Sequence, residues 1–148
     1  MEVIIFIGIQ ASGKSSFYFE RLSKSHLRLN LDMLKTRNRE TILFDACIKA
    51  KQPIVIDNTN ATKEERKRYI GKLRQNHFKV IGYYFKSSIE ECLYRNKMRK
   101  GKEKIPEIAI NGTYNKLELP EYSEGFDELY YISIGEEGFT LEGWKNEI

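Results

Sequence analysis

The sequence predicts an α/β fold in which a parallel β-sheet carries helices on both faces. Short apolar runs rich in β-branched residues alternate with helical stretches of roughly 10–20 residues, the pattern of successive β–α units. The runs are continuously apolar, as in parallel strands that are buried on both faces. A glycine-rich turn joins the first run to the first helix. The length of 148 residues suits one domain spanning 1–148.

Five strands and five helical segments follow from this pattern. The predicted strands cover residues 3–7, 27–29, 53–57, 78–85 and 129–134, and an acidic tail follows the last of them. The predicted helices cover residues 14–23, a broken stretch from about 32 to 50, residues 62–75, residues 88–99 and a short segment from Pro106. Thr62 with Glu65, and Ser88 with Glu91, have the spacing of capping boxes that begin two of these helices.

Composition places the chain among folded proteins without a disulfide or zinc scaffold. Hydrophobic residues make up 41% of it, which is enough for a core. Cys47 and Cys92 are far apart and belong to no C-x-x-C or Cys/His cluster, which favours reduced thiols. No apolar run approaches the ~20 residues of a membrane span, and the run 3–9 lacks the basic leader of a signal peptide. We therefore expect a cytoplasmic protein that does not engage a membrane.

The net charge of +4 conceals a strong asymmetry along the chain. Residues 63–104 carry 14 Lys/Arg against 5 Asp/Glu, a balance of +9, whereas residues 105–148 carry 2 against 10, a balance of −8. A basic middle segment suits a polyanion such as a nucleotide or a nucleic acid. The same charges would also suit a solvated lysine-rich helix face balanced by the acidic tail, and charge alone leaves both interpretations open.

The turn after the first strand carries the motif G-x-x-x-x-G-K-S, from Gly8 to Ser15. Its glycines let the backbone wrap round a phosphate, so that consecutive N–H groups and the start of the helix face the anion. Lys14 is placed to reach the β- and γ-phosphates, and the Ser15 hydroxyl to bind Mg²⁺. The motif therefore predicts ATP and Mg²⁺ as cofactors. The predicted nucleotide-binding residues are Gly8, Gln10, Ala11, Ser12, Gly13, Lys14, Ser15 and Ser16.

Several classes of protein use such a loop, and the rest of the sequence favours a kinase. The chain is short for a motor and has no N-K-x-D guanine-reading motif. Phosphoryl transfer to a hydroxyl gains from a carboxylate that accepts the hydroxyl proton. Asp32 and Asp57 each follow a predicted strand, at the sheet edge where ligands bind. Asp57 suits Mg²⁺ binding through water, which leaves Asp32 as the base. The alternatives are a helix cap at Asp32 and an Asx turn at Asp57.

Two arginines, Arg95 and Arg99, precede a basic loop at residues 100–104. Their i, i+4 spacing would place them on one helix face. Planar guanidinium groups are suited to the charge that spreads over the oxygens of a transferred phosphoryl group. We expect a small helical lid over about residues 95–117 that carries them and excludes water. The alternative is an ordinary solvated basic helix.

Several further motifs follow the P-loop in a fixed order. They are Leu-Asn-Leu-Asp at 29–32, Ile-Asp-Asn-Thr-Asn at 56–60, Arg-Asn-Lys-Met-Arg at 95–99, Ile-Pro at 105–106 and Pro-Glu-Tyr-Ser-Glu-Gly-Phe at 120–126. Together they resemble the 5′-kinase domain of polynucleotide kinases, both the phage enzyme and the kinase half of the mammalian phosphatase-kinase. The resemblance covers nearly the whole chain, and the Asp-Asn-Thr-Asn box makes it more specific than a P-loop alone.

The resemblance implies a P-loop NTPase fold similar to adenylate kinase, with five parallel strands in the order 2-3-1-4-5. It also implies transfer of the γ-phosphate of ATP to the 5′-hydroxyl end of DNA or RNA. The matched residues are Asp32 as general base, Lys14 and Ser15 at the phosphates and Mg²⁺, Arg95 and Arg99 as lid arginines, and Asp57, Asn58 and Thr59 as the box at the acceptor site.

Two departures from the family pattern concern the acceptor. Leu31 stands where the family has an arginine before the base, and Lys35 where an arginine grips the acceptor phosphate, with Arg37 nearby. Lysine keeps the charge but lacks the two-pronged guanidinium. A kinase of the same fold acting on a small metabolite, and a nucleotide-binding protein without transfer activity, are therefore the alternatives. No phosphatase or ligase domain accompanies these residues, so partners for end repair would be separate proteins.

Overall fold

The computed structural model describes residues 1–145, which form one six-stranded sheet with helices on both faces. Within this range, no helix has both the length and the apolar character needed to cross a membrane. Two short 3-10 turns, at Gly101–Glu103 and Tyr122–Glu124, complete the regular structure. In chain order the strands and helices are β1 (Glu2–Ile7), α1 (Lys14–Arg21), β2 (Leu27–Leu29), α2 (Leu31–Leu34), α3 (Arg37–Ala50), β3 (Ile54–Ile56), α4 (Lys63–Gln75), β4 (Lys79–Phe85), α5 (Ile89–Lys97), α6 (Glu107–Lys116), β5 (Glu128–Gly135) and β6 (Gly138–Gly143).

The sheet has the strand order β2-β3-β1-β4-β5-β6. Its first five strands are parallel, so the predicted fold class and the order 2-3-1-4-5 are confirmed. The count of five strands is wrong, because β6 pairs with β5 in the antiparallel sense where an acidic tail was expected. A tight turn at Gly135–Gly138 makes this hairpin, and Gly138 adopts a φ of 104° that favours glycine. As an edge strand, β6 is largely exposed and carries no apolar run.

Alternate residues of β1 face two halves of the core, because side chains alternate along a strand. Ile5 belongs to the half that includes Phe44 of α3 and Tyr69 of α4. Phe6 belongs to the other half, where its ring meets Phe17 of α1 edge to face at a centroid distance of 6.0 Å. Burial of each such side chain stabilises the fold by roughly 1.5–3 kcal/mol. The sheet is thus held rigidly between helices, with its carboxyl edge open.

Polar signals at the helix ends explain most boundaries. Thr62 and Glu65 form the predicted capping box at the start of α4. At α5, Ser88 accepts a hydrogen bond from the backbone N–H of Glu91, but the predicted box is only half formed. The Glu91 carboxylate instead lies 3.6 Å from the side-chain nitrogens of Lys86 and Arg95. A strong basic neighbourhood therefore draws this carboxylate away from the cap.

A buried arginine joins the start of α4 to the segment before β5. Arg66 is 0% exposed, and its guanidinium forms a two-pronged pair with the Glu124 carboxylate at 2.8 and 3.1 Å. Its Nη1 also donates to the backbone carbonyls of Asn60, Ala61 and Glu118. Because all three of its nitrogens donate hydrogen bonds and its charge is paired with Glu124, the guanidinium is tolerated inside the protein.

The β5–β6 hairpin packs against the start of α1. Phe139 of β6 meets the ring of Phe17 edge to face at 5.2 Å, and its backbone carbonyl accepts a hydrogen bond from Arg21. Gly13, at the N-cap of α1, lies so close to this hairpin that a Cβ there would be 2.8 Å from Ile134 and 3.0 Å from Phe139. The hairpin therefore supports the glycine-rich turn from behind.

Candidate active site

The site lies at the carboxyl edge of the parallel sheet, where β1, β2 and β3 end side by side. The residues that directly follow these strands are Gly8, Asn30 and Asp57. A cleft of about 290 Å³ opens above them. It is lined by Gln10, Ala11, Gly13, Lys14, Ser15, Ser16, Asn30, Leu31, Asp32, Asp57, Asn58, Thr59, Arg99 and Ile105. Most of the residues predicted from the sequence are therefore brought together here.

A second, larger groove of about 560 Å³ lies at the opposite, amino edge of the sheet. It is shallow and is lined by Arg74, His77, Phe78, Lys79 and Asp127. Ligands of open parallel sheets bind at the carboxyl edge, and the cleft there holds the P-loop. We therefore take the smaller cleft as the candidate active site.

The P-loop has the backbone shape that phosphate binding requires. Gly13 has a φ of 99° and Ala11 a φ of 64°, so the loop turns through the left-handed region twice. The Gly8 N–H donates to the carbonyl of Thr59 at 3.0 Å, and the Ile9 N–H to the Ser87 hydroxyl at 3.1 Å. These bonds anchor the entry of the loop to its neighbours, so that the following turn is held in place at the start of α1.

Lys14 is folded back into its own loop. Its Nζ donates to the carbonyls of Gly8 and Ile9 at 2.9 and 2.7 Å, and Ser12 Oγ lies 3.4 Å away. Burial lowers the pKa of Lys14 to about 8, while the negative charge of Asp57 acts in the opposite direction. A buried ammonium with carbonyl partners is ready to exchange them for the oxygens of a phosphate.

Ser15 and Asp57 face each other across the floor of the cleft. The Ser15 hydroxyl donates to Oδ2 of Asp57 at 3.1 Å, and the Asp57 side chain is almost fully buried. Hydroxyl and carboxylate oxygens are the ligands that Mg²⁺ prefers, so this pair fits a magnesium site. The alternative of an Asx turn at Asp57 is wrong, because its carboxylate bonds to Ser15 and to Arg28 instead.

Arg28 of β2 completes this cluster and was absent from the sequence interpretation. Its Nε donates to Asp57 Oδ2 at 2.8 Å and its Nη2 to Ser15 Oγ at 2.8 Å. The guanidinium also lies over the rings of Phe19 and Tyr18, at 5.2 and 5.8 Å from their centroids. The available signal was a charged residue inside a short strand that leads directly into the site.

Asp32 lies on the first turn of α2 at the mouth of the cleft, where it is exposed. It does not cap that helix, so the capping alternative is wrong. The N-cap is Asn30, whose Oδ1 accepts from the Met33 N–H at 3.0 Å and whose Nδ2 donates to the Asp57 carbonyl at 2.6 Å. The Asp32 carboxylate is thereby left available to a ligand.

Asn58 connects the backbone at Leu31, the residue before Asp32, to a buried network. Its Oδ1 accepts from the Leu31 N–H at 2.9 Å, and its Nδ2 donates to Glu40 at 2.9 Å. Glu40 of α3 is 2% exposed and also accepts from Tyr69 Oη and Arg37 Nη1. Burial, together with the adjacent Glu40 carboxylate, raises the pKa of Tyr69 to about 12. Glu40 was missed from the sequence because it lies on a helix that carries no motif.

The two cationic residues expected at the acceptor, Lys35 and Arg37, do not line the cleft. Lys35 ends α2 with a φ of 77° and is exposed. Arg37 is partly exposed and bonds through Nη1 to Glu40 and Tyr69. This side of the cleft is thus lined by amide and carboxylate groups, from Asn30, Asp32 and Asn58, and the two cations lie outside the lining.

Arg95 and Arg99 are not on one helix face, because α5 ends at Lys97 and Arg99 lies in the loop beyond it. Arg99 lines the cleft and donates to the Glu103 carbonyl at 3.3 Å. Arg95 donates instead to the Ala11 carbonyl of the P-loop at 3.1 Å. The alternative that Arg95 only belongs to a solvated basic helix face is therefore excluded.

The segment from α5 to α6 is attached to the P-loop and closed by a buried amide. Gln10 donates to the Thr113 hydroxyl of α6 at 3.0 Å. Asn96, 0% exposed, bonds to both the N–H and the carbonyl of Ile105 at 2.8 and 2.6 Å. The Asn96–Ile105 contacts hold the two ends of the basic loop at residues 100–104 close to each other, beside the cleft.

Comparison with curated proteins supports the motif-based resemblance. The chain is 30% identical over 132 residues to the bifunctional polynucleotide phosphatase/kinase of Schizosaccharomyces pombe, covering 86% of this chain and 32% of that protein. It is 27% identical over 140 residues to a putative bifunctional polynucleotide phosphatase/kinase of Acanthamoeba polyphaga mimivirus, covering 90% and 33%. The chain thus spans about a third of the length of these relatives. The resemblance to polynucleotide kinases is confirmed.

Solved structures share the fold at low identity. Kti12 of Chaetomium thermophilum, in complex with ADP-AlF3, aligns with a TM-score of 0.67 at 14% identity over 91% of this chain and 92% of that one. A gluconokinase of Sinorhizobium meliloti 1021 aligns with a TM-score of 0.60 at 17% identity over 91% and 83%. A protein family described as an AAA domain matches residues 3–120. With that match over most of its length, and with a nucleotide-binding P-loop on this sheet, the chain belongs to this family as a P-loop kinase domain.

Proposed function

We propose that this P-loop kinase domain transfers the γ-phosphate of ATP to the 5′-hydroxyl end of DNA or RNA, with Mg²⁺ and with Asp32 as general base. The main support for the proposal is that one cleft contains both the groups that would hold the triphosphate, here called the donor side, and a carboxylate that could accept a proton. Lys14, Ser15 and Arg99 line the donor side, and Asp32 and Asn58 line the other. The names of the curated relatives supply the class of acceptor.

The donor side suits a triphosphate. The P-loop backbone and Lys14 would hold the β- and γ-phosphates, and Arg99 would reach the γ-phosphate from the lid loop. Arg95 holds the P-loop at Ala11 and would position it, or would turn to the phosphates when the lid closes. Loss of the three Lys14 contacts within its loop would be matched by stronger bonds to anionic oxygens.

The transfer step needs one proton acceptor. The oxygen of the acceptor hydroxyl attacks the γ-phosphorus, the bond from that phosphorus to the β–γ bridging oxygen breaks, and ADP leaves. The hydroxyl proton passes to the Asp32 carboxylate, which is exposed at the cleft mouth and bears no capping bond. Asn58 fixes the backbone at Leu31, next to the base.

Ser15 and Asp57 would hold the magnesium ion, Asp57 through a water molecule. When bound, the ion supplies charge neutralisation on the β- and γ-phosphate oxygens.

A kinase of small metabolites is the second candidate, and one observation favours it. Lys35 and Arg37 lie at the margin of the cleft rather than in its lining, so few cations face the phosphates of a long acceptor. The gluconokinase with the same fold indicates that this architecture can carry a sugar kinase, although 17% identity shows the fold alone. A nucleotide-binding protein without transfer activity is the third.

The deciding experiment offers γ-labelled ATP with Mg²⁺ to paired oligonucleotides that differ only at the 5′ end. We expect label on 5′-hydroxyl DNA or RNA and none on the same strands that already carry a 5′-phosphate. Label on a metabolite from a sugar and nucleoside panel, with none on any oligonucleotide, would replace the proposal with the second candidate. ATP binding without label on any acceptor would support the third.

We further propose that a phosphatase or ligase protein joins this kinase domain at the nucleic-acid end under repair. A cytoplasmic location, which the free thiols of Cys47 and Cys92 favour, is also part of the proposal. A pull-down with labelled 5′-hydroxyl duplexes, with and without a purified 3′-phosphatase, tests whether such a protein joins the complex.

A further inference from the structure

Arg28 occupies the two oxygens that the proposed metal site would use. Its Nε and Nη2 lie 2.8 Å from Asp57 Oδ2 and from Ser15 Oγ, so one planar guanidinium spans the pair. The Asp57 side chain is 2% exposed and that of Arg28 only 16%, so the Arg28–Asp57 contact is shielded from water, whereas Ser15 is exposed. The Arg28 guanidinium therefore places a positive charge at the position where the metal ion would bind.

The Arg28 guanidinium and a divalent cation cannot both bind these two oxygens at the same time. The Ser15 hydroxyl has one hydrogen, which it donates to Asp57, and the lone pair facing Arg28 accepts from Nη2. A metal ion needs such a lone pair, and Mg²⁺ keeps a rigid octahedral shell with several waters. Two cations close together beside the buried Asp57 carboxylate also repel each other.

The side chain has another surface to which it can move. Arg28 already lies over the rings of Phe19 and Tyr18, at 5.2 and 5.8 Å from their centroids. Phe19 is 61% exposed, so its ring continues toward the solvent. A guanidinium that left Asp57 would keep an attractive contact with this ring.

We propose that Arg28 and Mg²⁺ compete for Ser15 and Asp57, so that Arg28 satisfies the metal ligands in the empty site and leaves them when the metal and nucleotide bind. Arg28 is then a positioning residue that prevents a buried carboxylate from standing unpaired between turnovers. It also raises the magnesium concentration that the site requires. This inference rests on the metal-assisted nucleotide binding that is part of the proposed function.

The test measures the Mg²⁺ concentration at which binding of a fluorescent ATP analogue is half-restored after chelation. Arg28→Gln removes the competing cation. The midpoint should fall at least about tenfold, the change expected when one charge-assisted hydrogen bond no longer opposes the metal. Arg21→Gln is the matched control, because Arg21 also lies near an aromatic ring of α1, at 5.3 Å from the Phe17 centroid, and bonds to Phe139 instead of Ser15 or Asp57. Its midpoint should match that of the parent chain.

A second variant and a spectroscopic measurement keep the test decisive even if Arg28→Gln does not fold. Arg28→Lys keeps the charge but cannot span both oxygens, so it should lower the midpoint by a smaller factor. In NMR spectra of the parent chain, the Arg28 Nε–H signal should shift and lose its protection when Mg²⁺ and nucleotide are added together, and should stay in place with nucleotide and chelator.

An unchanged or raised midpoint in both Arg28 variants, or an Arg28 Nε–H signal that Mg²⁺ does not move, overturns the competition. Nucleotide binding that ignores Mg²⁺ in every variant overturns the metal-assisted binding itself. The two failures are thereby distinguished.

Discussion

The Asn58 amide donates through Nδ2 to Oε2 of Glu40 at 2.9 Å, so a buried carboxylate on α3 orients a side chain that lines the cleft. The other end of the same amide accepts from the Leu31 N–H, one residue before the proposed base. Asn58 therefore cannot rotate without breaking a bond to Glu40 or a bond to α2. This side of the cleft therefore depends on Glu40, a buried residue that does not itself line the cleft.

Glu40→Gln should impair the acceptor side selectively. One carboxylate oxygen becomes an NH₂ group that faces donors from Asn58, Tyr69 or Arg37, which should destabilise the fold by about 1–3 kcal/mol. We expect KM for the acceptor to rise severalfold while the Kd for ATP stays the same. The exposed Glu64→Gln is the control on α4. A rise in both constants together would mean that Glu40 only stabilises the fold.

Asp32→Asn should remove the proton acceptor and keep its shape. The rate of transfer should fall by a factor of about 10² to 10⁴, the usual contribution of a general base, with little change in ATP affinity. Single-turnover kinetics and a nucleotide titration measure the two effects separately. Asp45→Asn, on α3, should leave both unchanged. Normal transfer by the Asp32 variant would falsify its role as base.

ATP affinity should fall as pH rises above about 8. Burial lowers the pKa of Lys14 to about 8, so the ammonium is complete below that pH and is lost above it. Phosphate favours the charged form, so the Kd should rise by up to about tenfold per pH unit beyond the pKa. In Lys14→Arg the charge persists, and the Kd should stay level through about pH 10 whatever its absolute value. Equal pH profiles for the two chains would assign the effect to another group.

Arg66→Ala should destabilise the fold without touching the chemistry. It leaves the nearly buried Glu124 carboxylate unpaired and three backbone carbonyls without their donor. The expected loss is about 3–5 kcal/mol in the free energy of unfolding, measured by urea titration. Arg68→Ala, on the exposed side of α4, should cost less than about 0.5 kcal/mol. At a temperature where the Arg66 variant is folded, its ATP affinity should be normal.

Continuous apolar runs sufficed to predict the five parallel strands, because that signal is local. The order of the strands is not a local property, and it was predicted only through the resemblance to polynucleotide kinases. The edge strand β6 escaped prediction because it is largely exposed and carries no continuous apolar run, the pattern from which the other strands were predicted. The i, i+4 argument for Arg95 and Arg99 failed for a related reason. Residue spacing alone cannot show that α5 ends at Lys97. The Asn96 side chain bonds to the backbone of Ile105 there, and the chain leaves the helix axis.

Within the site, the residues that directly follow strands were predicted from the sequence. Residues whose side chains reach the site from within a strand or from a helix were missed. Asp57 and Asp32 were found because parallel strands converge at one edge. Arg28 and Glu40 reach the site through side chains from a strand interior and from a helix, and only tertiary packing shows where those side chains end. Likewise, Asn30 rather than Asp32 proved to be the helix cap.

The contact of Gly13 with Ile134 and Phe139 joins the nucleotide loop to the last strand pair. Gly13 is more than 120 positions from either of these side chains in the sequence, so the contact is one of long sequence separation. Contacts of this kind form only after distant parts of the chain have been brought together, at the cost of loop-closure entropy. The phosphate-binding loop therefore reaches its final shape only after the β5–β6 hairpin has packed against α1.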